Sequence, residues 1–170
     1  MKHSYCIGEK LTASTTKKAL IRRYDRETLA GYVNPTSFQQ PEGVELLSDQ
    51  GHASIIPYPE IKLLAFVREF QGTAQPERQV FQTRPKMAGL WVNLRFRDGG
   101  VLEGIIPNNL MLLESSGCTV IPPDSFGNQQ RVWVPRGSLV ALEVLGVVGS
   151  PLKKRKPTPA PKEQIGLFDE

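Results

Sequence analysis

An internal repeat constrains the fold of this 170-residue chain more than any other feature of its sequence. Residues 21–33 align without a gap with residues 94–106, and the identical pairs are Arg22/Arg95, Asp25/Asp98, Leu29/Leu102 and Gly31/Gly104. Residues 56–66 align with residues 132–142, and the identical pairs are Pro59/Pro135, Leu63/Leu139 and Ala65/Ala141. Two related units in the same order indicate a duplicated small domain.

Each unit has the pattern of short strands. Trp91–Phe96 alternates apolar and polar residues after its first position, and Arg97–Gly100 has the composition of a hairpin turn. Gly104, like Gly31 in the first unit, lies inside a strand pattern and predicts a bend, a bulge or a close backbone approach. With 15 Gly and 14 Pro the chain is interrupted too often for a helical bundle. The sequence therefore predicts an all-β protein.

The composition divides the chain into five parts. We expect a flexible N-terminus over residues 1–15, a first unit over 16–70, a linker over 71–88 and a second unit over 89–149. Residues 150–170 are rich in Pro and Lys and cannot bury much surface, which predicts a disordered basic tail.

The order of motifs in each unit resembles the Sm-like fold, a strongly bent five-stranded small barrel. The residues that carry the resemblance are Asp98, Gly99, Gly104, Asn109, Leu110, Leu112, Val134, Arg136, Gly137 and Leu139. The first unit also resembles uncharacterised bacterial small-barrel domains that end in Ile-Lys-x-x-x-Phe-Val-Arg-x-Phe, which is residues 61–70 here. The resemblance implies two tandem Sm-like or SH3-like small barrels.

The same resemblance implies contacts with single-stranded RNA. Sm-like proteins stack a base at an Asp-x-apolar-Met-Asn loop and make polar contacts from an Arg-Gly loop. This chain keeps Asn109 and Arg136-Gly137, but Pro107-Asn108 replaces the acidic and stacking residues of the family.

A formal net charge of +4 permits an anionic partner. Arginines beside Tyr24 and Phe96 could supply the charge and the stacking surface that single strands need, although outward arginines beside inward aromatics are also ordinary sheet surface. The candidate nucleic-acid residues are Arg22, Arg95, Arg97, Asn109, Arg136, Lys153, Lys154, Arg155 and Lys156.

The most specific motif lies in the tail. Gln164-Ile165-Gly166-Leu167-Phe168 resembles the pentapeptide Gln-Leu/Met-x-Leu-Phe that binds the bacterial sliding clamp, with Ile in place of Leu. The resemblance implies that Gln164 hydrogen-bonds at the mouth of a clamp pocket, that Ile165 contacts its rim and that Leu167 and Phe168 fill it. One alternative is that the peptide binds another protein with an apolar peptide pocket. The other is that these apolar side chains dock on the chain's own β units.

No motif points to catalysis. His3 and His52 have no motif-spaced nucleophile or metal ligand beside them, and no phosphate-binding loop is present. Cys6 and Cys118 form no pair typical of a metal site or a disulfide framework and are interpreted as free thiols. We expect no cofactor and no metal. No apolar stretch is long enough to span a bilayer, so we expect a cytoplasmic protein.

Three hypotheses remain. The leading hypothesis is a non-enzymatic adaptor of two Sm-like barrels that its C-terminal peptide recruits to the sliding clamp during DNA replication or repair. The second is an RNA-binding or regulatory Sm-like protein that acts without the clamp. The third is a small enzyme with a scattered active site.

Overall fold

The computed structural model describes residues 16–71, 77–109 and 116–149. They form ten β-strands and two one-turn 3₁₀ helices, which confirms the all-β prediction. The strands are β1 (Lys17–Arg23), β2 (Thr28–Val33), β3 (Gly43–Leu47), β4 (Ala53–Pro57), β5 (Ile61–Val67), β6 (Gly89–Phe96), β7 (Val101–Ile106), β8 (Gly117–Val120), β9 (Gln129–Pro135) and β10 (Leu139–Val148). The 3₁₀ turns Tyr58–Glu60 and Arg136–Ser138 precede β5 and β10.

The strands form two open antiparallel sheets. One has seven strands in the order β4-β3-β2-β1-β5-β9-β8, and the other has three in the order β10-β6-β7. A pair of backbone hydrogen bonds between Ile105 and Ile121, each 2.9 Å, joins β7 to the end of β8. The ten strands therefore make one continuous strip whose two ends are β4 and β10.

Both units have the same strand connections. In the first unit β5 pairs with β1, β1 with β2, β2 with β3 and β3 with β4. In the second unit β10 pairs with β6, β6 with β7 and β8 with β9, and the Ile105–Ile121 bridge joins β7 to β8. The strand order β5-β1-β2-β3-β4 of the first unit thus corresponds to β10-β6-β7-β8-β9 in the second. The two units therefore share one strand order.

One part of the sequence alignment of the repeat is wrong by two residues. The structure pairs Ile61 with Arg23 and Leu139 with Phe96, which are counterparts in the two hairpins. Ile61 is therefore the counterpart of Leu139, where the sequence alignment placed Leu63. The cause is proline: a 3₁₀ turn follows Pro57 in one unit and Pro135 in the other, whereas the alignment matched Pro135 with Pro59.

Strand β5 joins the two units, because it contributes to two hydrophobic cores. One face of β5 packs with β6, β7 and β8, through Leu63, Ala65 and Val67. The other face packs with β1 and β3, through Ile61, Leu64 and Phe66. Strand β9 pairs with β5 and divides in the same way: Val132 and Val134 enter the first of these cores, and Trp133 enters the second.

The interior glycines confirm the close approach that the sequence predicts. A Cβ on Gly31 would lie 2.6 Å from the carbonyl oxygen of Leu47. A Cβ on Gly104 would lie 2.9 Å from Cβ of Val120. Each glycine lets the second strand of its unit pass directly against the third.

The described part of the predicted linker, residues 77–88, contacts both units. Glu77 forms an ion pair with Arg22 on β1, and the residues from Gln79 onward lie against the second unit. Oε2 of Glu103 on β7 accepts hydrogen bonds from the backbone amide of Phe81 and from Nε1 of Trp91, each 3.0 Å long. The rings of Phe81 and Trp91 meet edge to face with their centres 6.2 Å apart.

Candidate nucleic-acid interface

The candidate interface lies between two hairpin turns of matching construction. In the β1–β2 turn, Oδ1 of Asp25 accepts a hydrogen bond from the amide of Glu27 at 3.0 Å. In the β6–β7 turn, Oδ1 of Asp98 accepts one from the amide of Gly100, also at 3.0 Å. This Asx turn explains why the repeat keeps an aspartate at both positions.

The two turns differ at the residue that follows the aspartate. That residue adopts a left-handed backbone conformation in both, with φ of 73° at Arg26 and 80° at Gly99. Glycine adopts this conformation freely, whereas an L-residue with a side chain loses about 1 kcal/mol in it. The first turn therefore carries an arginine at a position where glycine is more stable.

A cleft of about 440 Å³ opens beside these turns, and we refer to it as the cationic cleft. Five basic and three acidic side chains line it: Arg22, Arg23, Arg26, Lys62, Arg78, Glu27, Glu77 and Asp98.

Part of the positive charge in the cleft is neutralised by ion pairs. Nζ of Lys62 lies 2.5 Å from Oδ2 of Asp98, and this hydrogen bond lowers the pKa of the Asp98 carboxyl below its usual value. Arg22 forms an ion pair with Glu77. Lys62 and Arg22 are therefore not free to pair with an anion in the cleft.

Two arginines of the cleft keep their charge available. Arg26 and Arg78 are exposed and form no ion pair with any residue that the structure describes. Arg23, by contrast, lies 2.7 Å from Glu60 and 3.2 Å from Asp25. A polyanion entering the cleft would therefore meet Arg26 and Arg78 as its free cationic partners.

The aromatic stacking surface expected from the sequence is wrong for Phe96. Phe96 is only 2% exposed, because it points into the core. Tyr24 is half-buried, and the guanidinium of Arg97 covers one face of its ring at 3.8 Å from the ring centre. The cleft thus offers charge, whereas the ring of Phe96 is closed to bases.

Two of the predicted nucleic-acid residues make internal contacts. Arg22 lines the cleft but is paired with Glu77. Arg97 stacks on Tyr24, and its guanidinium donates a hydrogen bond to the carbonyl oxygen of Pro59. Arg97 thereby holds the two units together.

The other predicted residues lie apart from the cleft. Arg95 is exposed on β6, and Arg136 is exposed in the second 3₁₀ turn, where it borders a different pocket. Asn109 is exposed, and its amide donates to the carbonyl oxygen of Pro107 at 2.7 Å. The tail residues Lys153, Lys154, Arg155, Lys156, Gln164, Ile165, Leu167 and Phe168 lie outside the described residues, as does Cys6.

Sequence reasoning placed Arg26 among the arginines of a possible basic patch beside Tyr24, but it did not select Arg26 as a site residue, and it missed Arg78. The repeat aligns Arg26 with Gly99 in a turn, and that alignment was a further signal for Arg26. Arg78 had none, since it lies in a polar stretch with no motif and reaches the cleft only through the tertiary fold.

The residues considered for chemistry have ordinary environments. The amide of His52 donates to Oγ of Ser48 at 3.1 Å, and His52 is exposed. Cys118 is a free, buried thiol, and its burial raises its pKa to about 11. Within residues 16–71, 77–109 and 116–149, no three His, Cys, Asp or Glu side chains cluster as metal ligands would. The same residues contain no helix of the length and apolarity needed to cross a membrane.

Comparison with known proteins identifies a family for this chain. No curated protein and no solved structure matches it. Residues 15–146 match DUF6982, a family of unknown function. The match extends from just before β1 to near the end of β10, and so covers both units. The chain therefore belongs to the DUF6982 family.

Proposed function

We propose that this protein is a non-catalytic adaptor. Its β body binds the phosphate backbone of a single-stranded nucleic acid in the cationic cleft, and the peptide Gln164–Phe168 recruits it to the bacterial sliding clamp. The observation that carries the first part is the left-handed arginine at position 26. The second part rests on the spacing of the pentapeptide in the sequence.

Arg26 supports a binding role because its position costs stability. Backbone strain that a simple substitution would relieve is typical of functional sites. Glycine at position 26 would restore the geometry that Gly99 has in the other turn. The first turn instead places a free guanidinium at the cleft, and a phosphate ligand would give that guanidinium a partner.

The chemistry of the cleft favours phosphate over bases. Its available side chains are guanidinium groups, which bind phosphate oxygens through paired hydrogen bonds. Phe96 is buried and cannot stack on a base. We therefore expect affinity that depends weakly on base sequence and falls steeply with salt.

The tail would add to both activities. Leu167 and Phe168 are apolar side chains in a stretch of otherwise low hydrophobicity, as expected of a peptide that fills a pocket on a partner. Seven residues separate the basic run 153–156 from this peptide, and the run would lie near the DNA that a clamp encircles. Its charge would strengthen phosphate binding at low salt.

The cleft is tested by fluorescence anisotropy with a labelled single-stranded oligonucleotide and the full chain. Arg26→Ala and Arg78→Ala should each weaken binding several-fold, since each removes a phosphate contact. Arg136→Ala removes the same charge from the Arg-Gly turn and is the matched control. If only Arg136→Ala weakens oligonucleotide binding, the cleft is not the binding site. That result would favour the alternative, an RNA-binding or regulatory Sm-like protein that acts without the clamp.

The peptide is tested separately. A labelled peptide covering Pro161–Glu170 should bind purified bacterial clamp, and the double substitution Leu167→Ala, Phe168→Ala should abolish binding. Absence of binding at about 50 µM clamp would remove the clamp from the proposal and leave the cleft untouched.

A further inference from the structure

The two end strands of the strip have exposed outer edges. Within the described residues neither β4 nor β10 has a strand partner beyond its neighbour in the sheet. Strand β10 is apolar as well as exposed: Val140 is 67% exposed, Val144 49% and Val147 60%. It contains no Lys or Pro, the residues that commonly protect a sheet edge from pairing.

The counterpart of β10 in the first unit is β5, and β5 is covered. Phe66 and Val67 on β5 are 8% and 6% exposed. Their counterparts Val144 and Leu145 on β10 are 49% and 42% exposed. The difference is that β9 pairs with the outer edge of β5, whereas nothing in the described structure pairs with that of β10.

The irregularity of β10 does not prevent such pairing. Its register against β6 shifts between Leu139 and Ala141 and again between Val144 and Gly146. The register of β5 against β1 shifts at the counterpart of the first point, between Ile61 and Leu63. The register of β5 against β9 shifts beside the counterpart of the second point, between Phe66 and Val67. Strand β5 accepts β9 on its outer edge in spite of these irregularities.

A pocket beside β10 has a filled counterpart in the first unit. The pocket has a volume of about 300 Å³, and its lining includes Cys118, Arg136, Leu139 and Leu142. The equivalent first-unit residues are Val44, Tyr58, Ile61 and Leu64, which pack around Trp133 of β9. Trp133 is 0% exposed and lies opposite Leu64 in the sheet.

The counterpart of Trp133 is Ile55 on β4. Gly43 pairs with Pro57 in the first unit, and Gly117 pairs with Pro135 in the second. Pro57 is therefore equivalent to Pro135, and Ile55 is equivalent to Trp133. Ile55 is 51% exposed. Among the described residues, the pocket at the β10 end of the strip is unfilled. At the β4 end, Ile55 is exposed, and it is the counterpart of the Trp133 side chain that fills the equivalent pocket of the first unit.

We propose that a second copy of this chain pairs its β4 with β10, as β9 pairs with β5. The repeat sets the register: Ile55 of one copy lies opposite Leu142 of the other and enters the pocket beside it, and Ser54 lies opposite Glu143. The pair of copies then keeps one free β10, on the copy that supplied its β4, and one free β4, on the other copy. Association is head to tail and continues to a closed ring or an open filament.

The proposal is tested on the full chain by analytical ultracentrifugation. Wild type should form species larger than a dimer as its concentration rises. Ile55→Lys and Val144→Lys, both at exposed positions, should each be monomeric alone. An equimolar mixture should form a one-to-one dimer and nothing larger, because each variant keeps one intact edge.

A disulfide test reports the register. In a Cys6→Ser background, Ser54→Cys combined with Glu143→Cys should give chains linked by disulfides that a reductant dissolves. The out-of-register pair Ser54→Cys with Val147→Cys should link far less. A wild-type chain that stays monomeric at about 100 µM would overturn the proposal. So would association that survives Ile55→Lys, because β10 would then pair with itself.

Discussion

The guanidinium of Arg97 lies 3.8 Å from the centre of the Tyr24 ring, and these two residues occupy the same position in the two hairpin turns. Oη of Tyr24 donates to the carbonyl oxygen of Ser138 at 3.1 Å, and Arg97 donates to that of Pro59. Each hairpin turn thus contacts the 3₁₀ turn of the other unit. Tyr24 and Arg97 are thus equivalent in the repeat, and they join the two units although one is aromatic and the other is cationic.

Arg97→Ala should weaken this junction. We expect the free energy of unfolding to fall by about 1 to 2 kcal/mol, from the lost cation–π contact and hydrogen bond. Arg95→Ala, an exposed arginine on the adjacent strand, should change it by less than about 0.5 kcal/mol. Urea denaturation measures both. Equal effects of the two substitutions would exclude a structural role for Arg97.

The two units should unfold together. Strand β5 places Leu63, Ala65 and Val67 in a core formed mainly by the second unit. A fragment of residues 16–71 would expose these side chains, so we expect it to lack a stable fold by circular dichroism. The chain over residues 16–149 should show one cooperative thermal transition. Two separate transitions would mean that the cores are independent.

Gly31→Ala should be strongly destabilising. The new Cβ would lie 2.6 Å from the backbone oxygen of Leu47, and a backbone atom cannot rotate away as a side chain can. We expect a loss above about 2 kcal/mol. Gly137→Ala is the control, because its Cβ would meet no atom within 4 Å. Thermal melts of the two variants should differ clearly, and similar melting temperatures would contradict the close approach.

Stability should fall at alkaline pH through Cys118. Burial raises the pKa of this thiol from 9.0 to about 11, so the unfolded chain loses its proton first as the pH rises. The protonated thiol contributes its full share to the free energy of unfolding below pH 9. This contribution, on the order of 2 kcal/mol, is lost between pH 9 and about 11.

Cys118→Val isolates this effect, because valine is the counterpart residue at position 44. The variant should stay folded and lose less stability over the same pH range, measured by urea denaturation at fixed pH values. An unchanged pH dependence would assign the alkaline loss to other groups.

Local features of the fold were predictable from the sequence, and long-range ones were not. The hairpin turns, the interior glycines and the 3₁₀ turn after Pro135 follow from residues close together in the chain. The pairing of β5 with β9 joins residues more than 60 positions apart, and no local pattern specifies it. One signal was present: residues 63–67 are uninterruptedly apolar, which is typical of a strand buried on both faces.

The candidate site was predictable only in part. Arg22 was identified as an arginine beside Tyr24 and does line the cleft. Arg97 was identified as an arginine beside Phe96, but its side chain contacts the first unit at the junction between the units. Periodicity predicts that a side chain points outward. It does not predict whether that side chain then contacts another element, as the structure shows for Arg97 and Tyr24.

The charge and the strain of Arg26 can be separated by two substitutions. Arg26→Gly removes both and should raise the free energy of unfolding by about 1 kcal/mol, whereas Arg26→Ala removes the charge and keeps the strain. Both should weaken binding of single-stranded oligonucleotide equally. A more stable Arg26→Gly that binds as tightly as wild type would show that the arginine serves no ligand.

The most direct test of the cationic cleft is the map of backbone amide chemical shifts as a single-stranded oligonucleotide is added to the isotope-labelled chain. The proposed function predicts that the largest changes fall at residues 22–28 and 77–79, and that they shrink as salt is raised. Changes centred on Arg95 and Arg136, or none at all, would contradict it.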